Sequence, residues 1–226
     1  MAVDVTELAW RARVHAALGD PARLAIVDRL VLGDVSPGGV GRELELPTNL
    51  VAHHVAVLEA AGMLRRTRSE GDRRRTYLSL VPGVLDGLVQ ARRLTVPRVV
   101  FVCTQNSARS QLAAALLASR SSLPTASAGT EPADRVHPRA VRVGRRHRLS
   151  LEDARPAAIQ DVLRAGDLVI SVCDHANEHL AVDGPRLHWS VPDPAPTDSD
   201  AAFEAAFDEI SDRVERLVPV LSGGTS

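Results

Sequence analysis

Hydrophobic positions divide the chain into two textures. Up to about residue 90 they recur at helical intervals, first from Leu8 to Leu18 and then through Leu24, Ile26, Val27 and Leu30. Asp20 followed by Pro21 supplies an N-cap and a first-turn proline, and Gly33 ends that second helix. Ser36 and Pro37 repeat the start signal for a short third helix, SPGGVGREL, weakened by its glycines. Pro47 opens a fourth helix in which Leu50, Val51, Val55, Val57 and Leu58 are the apolar positions. That leaves Thr48, Asn49, Ala52 and His53 near its exposed N-terminal face, and Gly62 closes it. MLRRTRS and RRRTYLSL, joined by Glu70-Gly71-Asp72, read as a two-stranded ribbon. From the apolar run Val99-Val100-Phe101-Val102 onward, strands alternate with helices. The boundary falls near Leu94 to Pro97. The pattern predicts an α+β domain over 1–96 and an α/β domain over 97–226, ending in a frayed SGGTS tail.

Composition narrows the chemistry. All basic residues among the 226 are Arg, so Schiff-base lysine chemistry and a lysine-bearing phosphate loop are excluded. Aromatics at 3% are too few for a base-stacking platform. Two cysteines cannot build a disulfide framework or a multi-thiolate zinc site, and they fit a reducing cytosol. Asp4, Glu7, Arg11 and Arg13 leave no charge-free stretch for a signal peptide or a spanning helix there, so the expectation is a cytoplasmic protein with no membrane partner.

Helices followed by a basic hairpin spell a winged helix-turn-helix, with the fourth helix placed to enter a major groove. Thr48, Asn49, Ala52 and His53 are its candidate base-reading residues, and Arg65, Arg73, Arg74 and Arg75 its candidate phosphate contacts. A charge run is usually just a solvated face. Its place directly after the recognition-helix pattern favours phosphate neutralisation. His53 and His54 are adjacent on a helix and face different ways, so one DNA-facing and one packing His is expected rather than a metal pair. In ALGDPARLAIVDRL, LPTNLVAHHVAVLEAAGML and the Arg-rich wing, the sequence resembles the ArsR/SmtB family of dimeric repressors over roughly residues 5 to 95. The resemblance implies a homodimer on double-stranded operator DNA. That family places sensing thiolates or histidines on its third or last helix, whereas SPGGVGREL and GVLDGLVQARR have neither Cys nor His, so no metal site is expected.

In the second domain, VVFVCTQNSARSQLAAALL reads as strand, tight loop and helix. A loop from Cys103 to Arg109, through Thr104, Gln105, Asn106, Ser107 and Ala108, turns successive backbone N–H groups toward one centre. The following helix adds the positive end of its dipole, and Arg109 a forked guanidinium suited to a tetrahedral anion. The same field favours a nucleophilic thiolate at Cys103, to which Ser110 can donate.

Three further stretches, SAGTEPADRVHPRAV, DLVISVCDHANEHL and HWSVPDPA, join that loop in a resemblance to the low-molecular-weight protein tyrosine phosphatase and arsenate reductase superfamily. It covers about residues 98 to 220 and implies a four-stranded parallel sheet with helices on both faces. The resemblance makes Cys103 the nucleophile, Arg109 the anion clamp, Asn106 and Ser110 loop-shaping and thiolate-stabilising residues, and Asp193 the general acid. Phosphatases of the group usually follow the Asp-Pro pair with aromatics, where this chain has Ala195 and Pro196, and their second loop cysteine is replaced by Ala108. CTQNSARSQLAAALL is nearer the arsenate reductase branch. Of the two further thiols in that branch's thioredoxin-coupled form, Cys173 matches the first by position, and Leu180 stands where the second belongs. Cys173 is therefore either a resolving thiol, reached by movement of 174–179, or a packed strand residue.

These readings imply a DNA-binding regulator fused to an arsenate reductase that needs no bound cofactor and uses an external thiol reductant, mycothiol or a thioredoxin system. Two alternatives stand beside it: a phosphotyrosine or phosphomonoester phosphatase, and a catalytically idle oxyanion sensor that controls DNA binding.

Overall fold

The computed structural model describes residues 5–85 and 94–223, which divide into two compact units, 5–68 with 74–85 in the first and 69–73 with 94–223 in the second. The first is built on α1 (Val5–Leu18), α2 (Pro21–Leu32), α3 (Pro37–Glu43), α4 (Thr48–Ala60) and a hairpin of β1 (Leu64–Arg68) and β2 (Thr76–Leu80). Local chemistry starts these helices where the sequence indicates. Asp20 Oδ1 accepts from the Ala22 and Arg23 amides at 3.0 Å each, and Ser36 Oγ accepts from Gly39 N at 3.1 Å. On α4, Val51, Val55 and Leu58 form the buried stripe with His54, while Thr48, Asn49, Ala52 and His53 are exposed. Leu50, read as an apolar packing position, points outward and is 37% exposed. Val51, His54, Val55 and Leu58 set the centre of the buried stripe, and at about 100° per residue Leu50 falls about 90° away from that centre, at the solvent side.

The hairpin is antiparallel, with Leu64 opposite Leu80. The expected strand RRRTYLSL begins later, at Thr76, where Leu78 and Leu80 join the buried core of this unit; Arg73, Arg74 and Arg75 lie exposed in the connection. Backbone bonds between Val35 and Leu78 (2.8 and 3.3 Å) lash the α2–α3 linker to β2. Most of GVLDGLVQARR lies outside the described residues.

The second unit contains β3 (Leu94–Val96), β4 (Val99–Cys103), α5 (Arg109–Arg120), β5 (Thr125–Gly129), α6 (Pro138–Arg146), α7 (Ile159–Val162), β6 (Leu168–Ser171), α8 (Asp174–His179), β7 (Arg186–His188), α9 (Asp200–Leu217) and β8 (Leu221–Gly223). Four strands form a parallel sheet in the order β5-β4-β6-β7, as expected. Every residue of β4 is buried, so both sheet faces are covered at its centre. Arg98 and Asp167 pair through two bonds of 2.9 and 2.5 Å just before β4 and β6, fastening the N-terminal ends of these neighbours. Two readings are corrected. Leu94–Val96, taken as the boundary, is a strand paired in parallel with β8, and that pairing also orders Ser222 and Gly223 of the tail expected to fray. Among the described residues no helix is long and apolar enough to cross a membrane.

Candidate active site

β4 ends at Cys103, and the chain wraps through Thr104–Ala108 into α5. The carbonyls of this loop are taken up on its outer side. Thr130 N donates to Cys103 O (3.1 Å), Glu131 N to Thr104 O (2.9 Å), Ala133 N to Gln105 O (2.9 Å) and His137 N to Ser107 O (2.8 Å). With the C=O groups turned outward, the N–H groups face the concavity. Ala108 caps α5 without a side-chain bond, so the helix's first amides add to that concavity. Asn106 adopts φ 49°, a left-handed conformation that lets so short a loop close. Gly129 lets it close tightly: a Cβ there would lie 2.7 Å from Thr104 O and 3.0 Å from Asn106 Cβ.

At the loop's base, Cys103 Sγ accepts from Asn106 N at 3.1 Å and lies 3.0 Å from Ser110 Oγ. Both contacts stabilise a sulfur carrying negative charge. Arg109 is buried, donating to Val191 O (2.8 Å) and pairing with Asp193 Oδ2 (2.9 Å). Asp193 also accepts from Ala195 N at 3.1 Å. Cys103, Arg109, Asp193 and Cys173 thus line one open pocket with Thr104, Gln105, Ser107, Ala108 and His175. Asn106 and Ser110 lie fully buried beneath it. Sequence reasoning missed Val191, whose carbonyl steadies the clamp, and Gln111, whose amide reaches Asn106 O (3.1 Å), Asn106 Oδ1 (3.2 Å) and Arg155 O (3.2 Å). A main-chain carbonyl leaves no mark in a sequence. Gln111 comes two residues after the Cys-to-Arg loop, and a buried amide there was the one available signal.

Cys173 sits at the exit of β6. Its sulfur accepts from Ala176 N at 3.4 Å as the N-cap of α8 and lies 3.5 Å from Thr104 Oγ1. Burial pushes the Cys173 thiol up, and the Arg109 guanidinium offsets this only in part. The stretch 174–179, whose movement a resolving Cys173 would need, is the six-residue helix α8. Asp174 at its start is buried against His188 Nε2 at 3.0 Å; burial pushes the carboxyl up, but bonds from His188 and Ser190 bring it below the usual carboxylate value. Among the described residues no group of three or more His, Cys, Asp or Glu side chains could hold a metal ion. Within the first unit, the candidate DNA-reading residues share the exposed start of α4. Arg65 is exposed on β1, and its neighbour Arg66 is engaged by Glu59 at 2.7 and 3.1 Å.

Comparison with known proteins agrees with this geometry. Residues 98–223 match the family model described as low molecular weight phosphotyrosine protein phosphatase. Arsenate reductase 1 of Bacillus cereus is 33% identical over 126 residues, 52% of this chain and 91% of that protein. Among solved structures, the tyrosine phosphatase AmsI of Erwinia amylovora (24% identity, TM-score 0.51) covers 57% of this chain and 95% of its own. Wzb from Escherichia coli K30, solved with sulphate (21% identity, TM-score 0.50), covers 55% and 98%. At those identities the two structures speak for the fold alone. The family match spans more than half of the chain, and the residues it covers build the loop, the clamp and the paired carboxylate, so this chain belongs to the low-molecular-weight phosphotyrosine protein phosphatase family and is an enzyme of the arsenate reductase and phosphatase type.

Proposed function

We propose that the second unit reduces arsenate to arsenite. The observation that carries this reading is Cys103 Sγ held by Asn106 N–H and Ser110 Oγ at the base of an inward-facing amide loop, in a stretch one-third identical to arsenate reductases over nearly their whole length. The oxyanion sits in the loop, its oxygens on the backbone N–H groups and the Arg109 fork. Its charge competes with Asp193 for Arg109, and Asp193 acts in its carboxylic-acid form. Cys103 sulfur attacks arsenic, an As–O bond breaks, and Asp193 gives its proton to the departing oxygen, which leaves as water. A second thiol, deprotonated, then attacks Cys103 sulfur. The S–S bond forms as the S–As bond breaks, and its electron pair stays on arsenic, which is reduced from As(V) to As(III) while the two sulfurs are oxidised.

The second thiol is external, from mycothiol or a thioredoxin-type reductant. The way Cys173 is held supports this over an internal route. Cys173 lines the same pocket as Cys103, but its sulfur is engaged as the N-cap of α8 by Ala176 N and lies beside Thr104 Oγ1. Joining Cys103 to Cys173 would require undoing the cap on Ala176 and the first turn of α8.

The phosphatase reading has its own support in the Asp193 carboxylate beside Arg109, since an aryl phosphate needs a proton donor at that position for its leaving group. Thiol consumption with arsenate, in parallel mycothiol and thioredoxin systems beside aryl phosphate hydrolysis, separates the two. Arsenite formation is expected; phosphate turnover without arsenite would overturn the arsenate reading.

For the N-terminal part of the chain we propose a winged helix-turn-helix that binds operator DNA as a homodimer in the cytoplasm, supported by Thr48, Asn49, Ala52 and His53 at the exposed start of α4 and by exposed Arg65 on β1 and Arg73, Arg74 and Arg75 in the connection to β2. In the full chain, alanine at Arg73, Arg74 and Arg75 should weaken binding to every sequence and flatten its salt dependence by about 0.9 log units per lost phosphate contact. A chain that selects no site from random duplexes would end the regulator reading.

A further inference from the structure

Gln111 does no chemistry in the reaction above, yet it is buried and faces three oxygens with an amide nitrogen that carries two hydrogens. Two of those oxygens belong to Asn106, the left-handed residue of the anion loop. We infer that Gln111 is a positioning residue that sets the direction of a hydrogen-bond chain ending on the Cys103 sulfur.

Donor and acceptor counting fixes the direction. Asn106 Oδ1 lies 2.9 Å from Ala157 N and 3.2 Å from Gln111 Nε2, both of which can only donate, so this end of the side chain is the carbonyl. Its other end, Nδ2, then donates to Ser110 Oγ at 2.8 Å. With that lone pair occupied, the hydroxyl's single hydrogen is free to turn to Cys103 Sγ at 3.0 Å. Gln111 thus fixes the Asn106 amide, the amide fixes the Ser110 hydroxyl, and the hydroxyl donates to the thiolate. If the Asn106 amide turned over, its oxygen would face Ser110 and draw the hydroxyl hydrogen away from sulfur. Ala157 N alone opposes that flip once Gln111 is gone. Gln111 also bonds Asn106 O and Arg155 O, so the same side chain ties the left-handed turn to the 155–157 strip behind it.

The inference rests on Cys103 as nucleophile and is indifferent to whether arsenate or phosphate is the substrate. Its test uses the full chain and two alkylating probes, iodoacetate and the uncharged iodoacetamide. Gln111→Met keeps the length and volume of the side chain and removes both donors. At neutral pH it should lower Cys103 alkylation by both reagents about tenfold, the worth of one hydrogen bond to a charged group. The ultraviolet thiolate absorbance should fall with it, and the unfolding midpoint should stay close to that of the parent. Rates within twofold of the parent, with label still on Cys103, would overturn the role of Gln111 and leave the nucleophile in place. Label absent from Cys103 in the parent chain would instead overturn the nucleophile. Should Gln111→Met fail to fold, the parent protein still decides the matter by neutron diffraction. A Ser110 deuteron directed at Sγ supports the chain as drawn, and one directed at Asn106 refutes it.

Discussion

Cys103 and Cys173 leave adjacent strands of one sheet at the same edge, and each sulfur accepts a backbone N–H three residues on and lies beside one hydroxyl. The distances differ: 3.1 and 3.0 Å at Cys103, 3.4 and 3.5 Å at Cys173. The segments downstream of the two sulfurs differ more. Cys103 opens a loop whose amides converge, backed by the twelve-residue α5 and by Arg109, whereas Cys173 serves as the cap of a helix half that length, and burial pushes its thiol up. A strand-end cysteine becomes a nucleophile through the number of donors aimed at it and at the space above it, more than through its place in the sheet.

The largest expected effect tests that contrast directly. Cys103→Ser should reduce both arsenate reduction and aryl phosphate hydrolysis by at least about a thousandfold with the fold intact, because a hydroxyl in the same cradle is far less ionised than a thiol. Turnover surviving at the parent rate would show that the wrong sulfur had been chosen. Next, Asp193→Asn should lower aryl phosphate hydrolysis about a hundredfold and arsenate reduction less, since exchange of oxygen on arsenic can draw protons from solvent. Steady-state rates on both substrates measure this, and equal losses would erase the distinction between the two chemistries.

A control at the opposite end of the same strands sharpens the comparison. Asp167 is held by Arg98 before β6 begins; burial pushes its carboxyl up, but the Arg98 bond and the Arg164 amide bring it below the ordinary value of 3.8. A carboxyl lowered on folding adds stability above its unfolded value, and that stability is lost as the pH falls through the folded one. Asp167→Asn should therefore cost about 3 kcal/mol at neutral pH and flatten part of the acid limb of the stability curve, while leaving the alkylation rate of Cys103 unchanged. Denaturant unfolding across acidic pH reads the first two. The smallest effect is expected at Cys173. If an external thiol resolves the adduct, Cys173→Ala should change mycothiol-dependent turnover less than twofold, whereas loss of turnover with every reductant would make Cys173 the resolving thiol.

The contrast between the two sulfurs also marks how far the sequence could be read. A run of four apolar residues ending in Cys, with Arg six positions on, announces its own local geometry, so the loop and its candidate residues were legible, as were the Asp20 and Ser36 caps. The left-handed Asn106 was legible as a residue type but not as a conformation, because its φ is imposed by Gln111, Ala157 and Gly129 from elsewhere in the fold. DHANEH looks like a polar connection until Cys173 caps it and buried Asp174 anchors it to His188. The hairpin was placed correctly, but its second strand was drawn too early. Pairing in RRRTYLSL begins only at Thr76, just before Leu78 and Leu80 join the core, and arginine triplets carry no register of their own.

The pairing of β3 with β8 had no local signal at all, being two three-residue strands more than a hundred positions apart, and it bears on connectivity. Leu94 lies opposite Leu221 and Val96 opposite Gly223, with Thr95 and Ser222 bonded through their hydroxyls at 3.0 Å. The second unit therefore nearly closes on itself as a ring. A linker returning along one three-residue strand, about 10 Å, would join its last strand to its first. The order in which its pieces are synthesised is then separable from their arrangement. Reopened at the exposed Asp183-Gly184 turn, the ring would keep Cys103 to Arg109 contiguous while Asp193, now near the start of the chain, would be made well before the cysteine it serves.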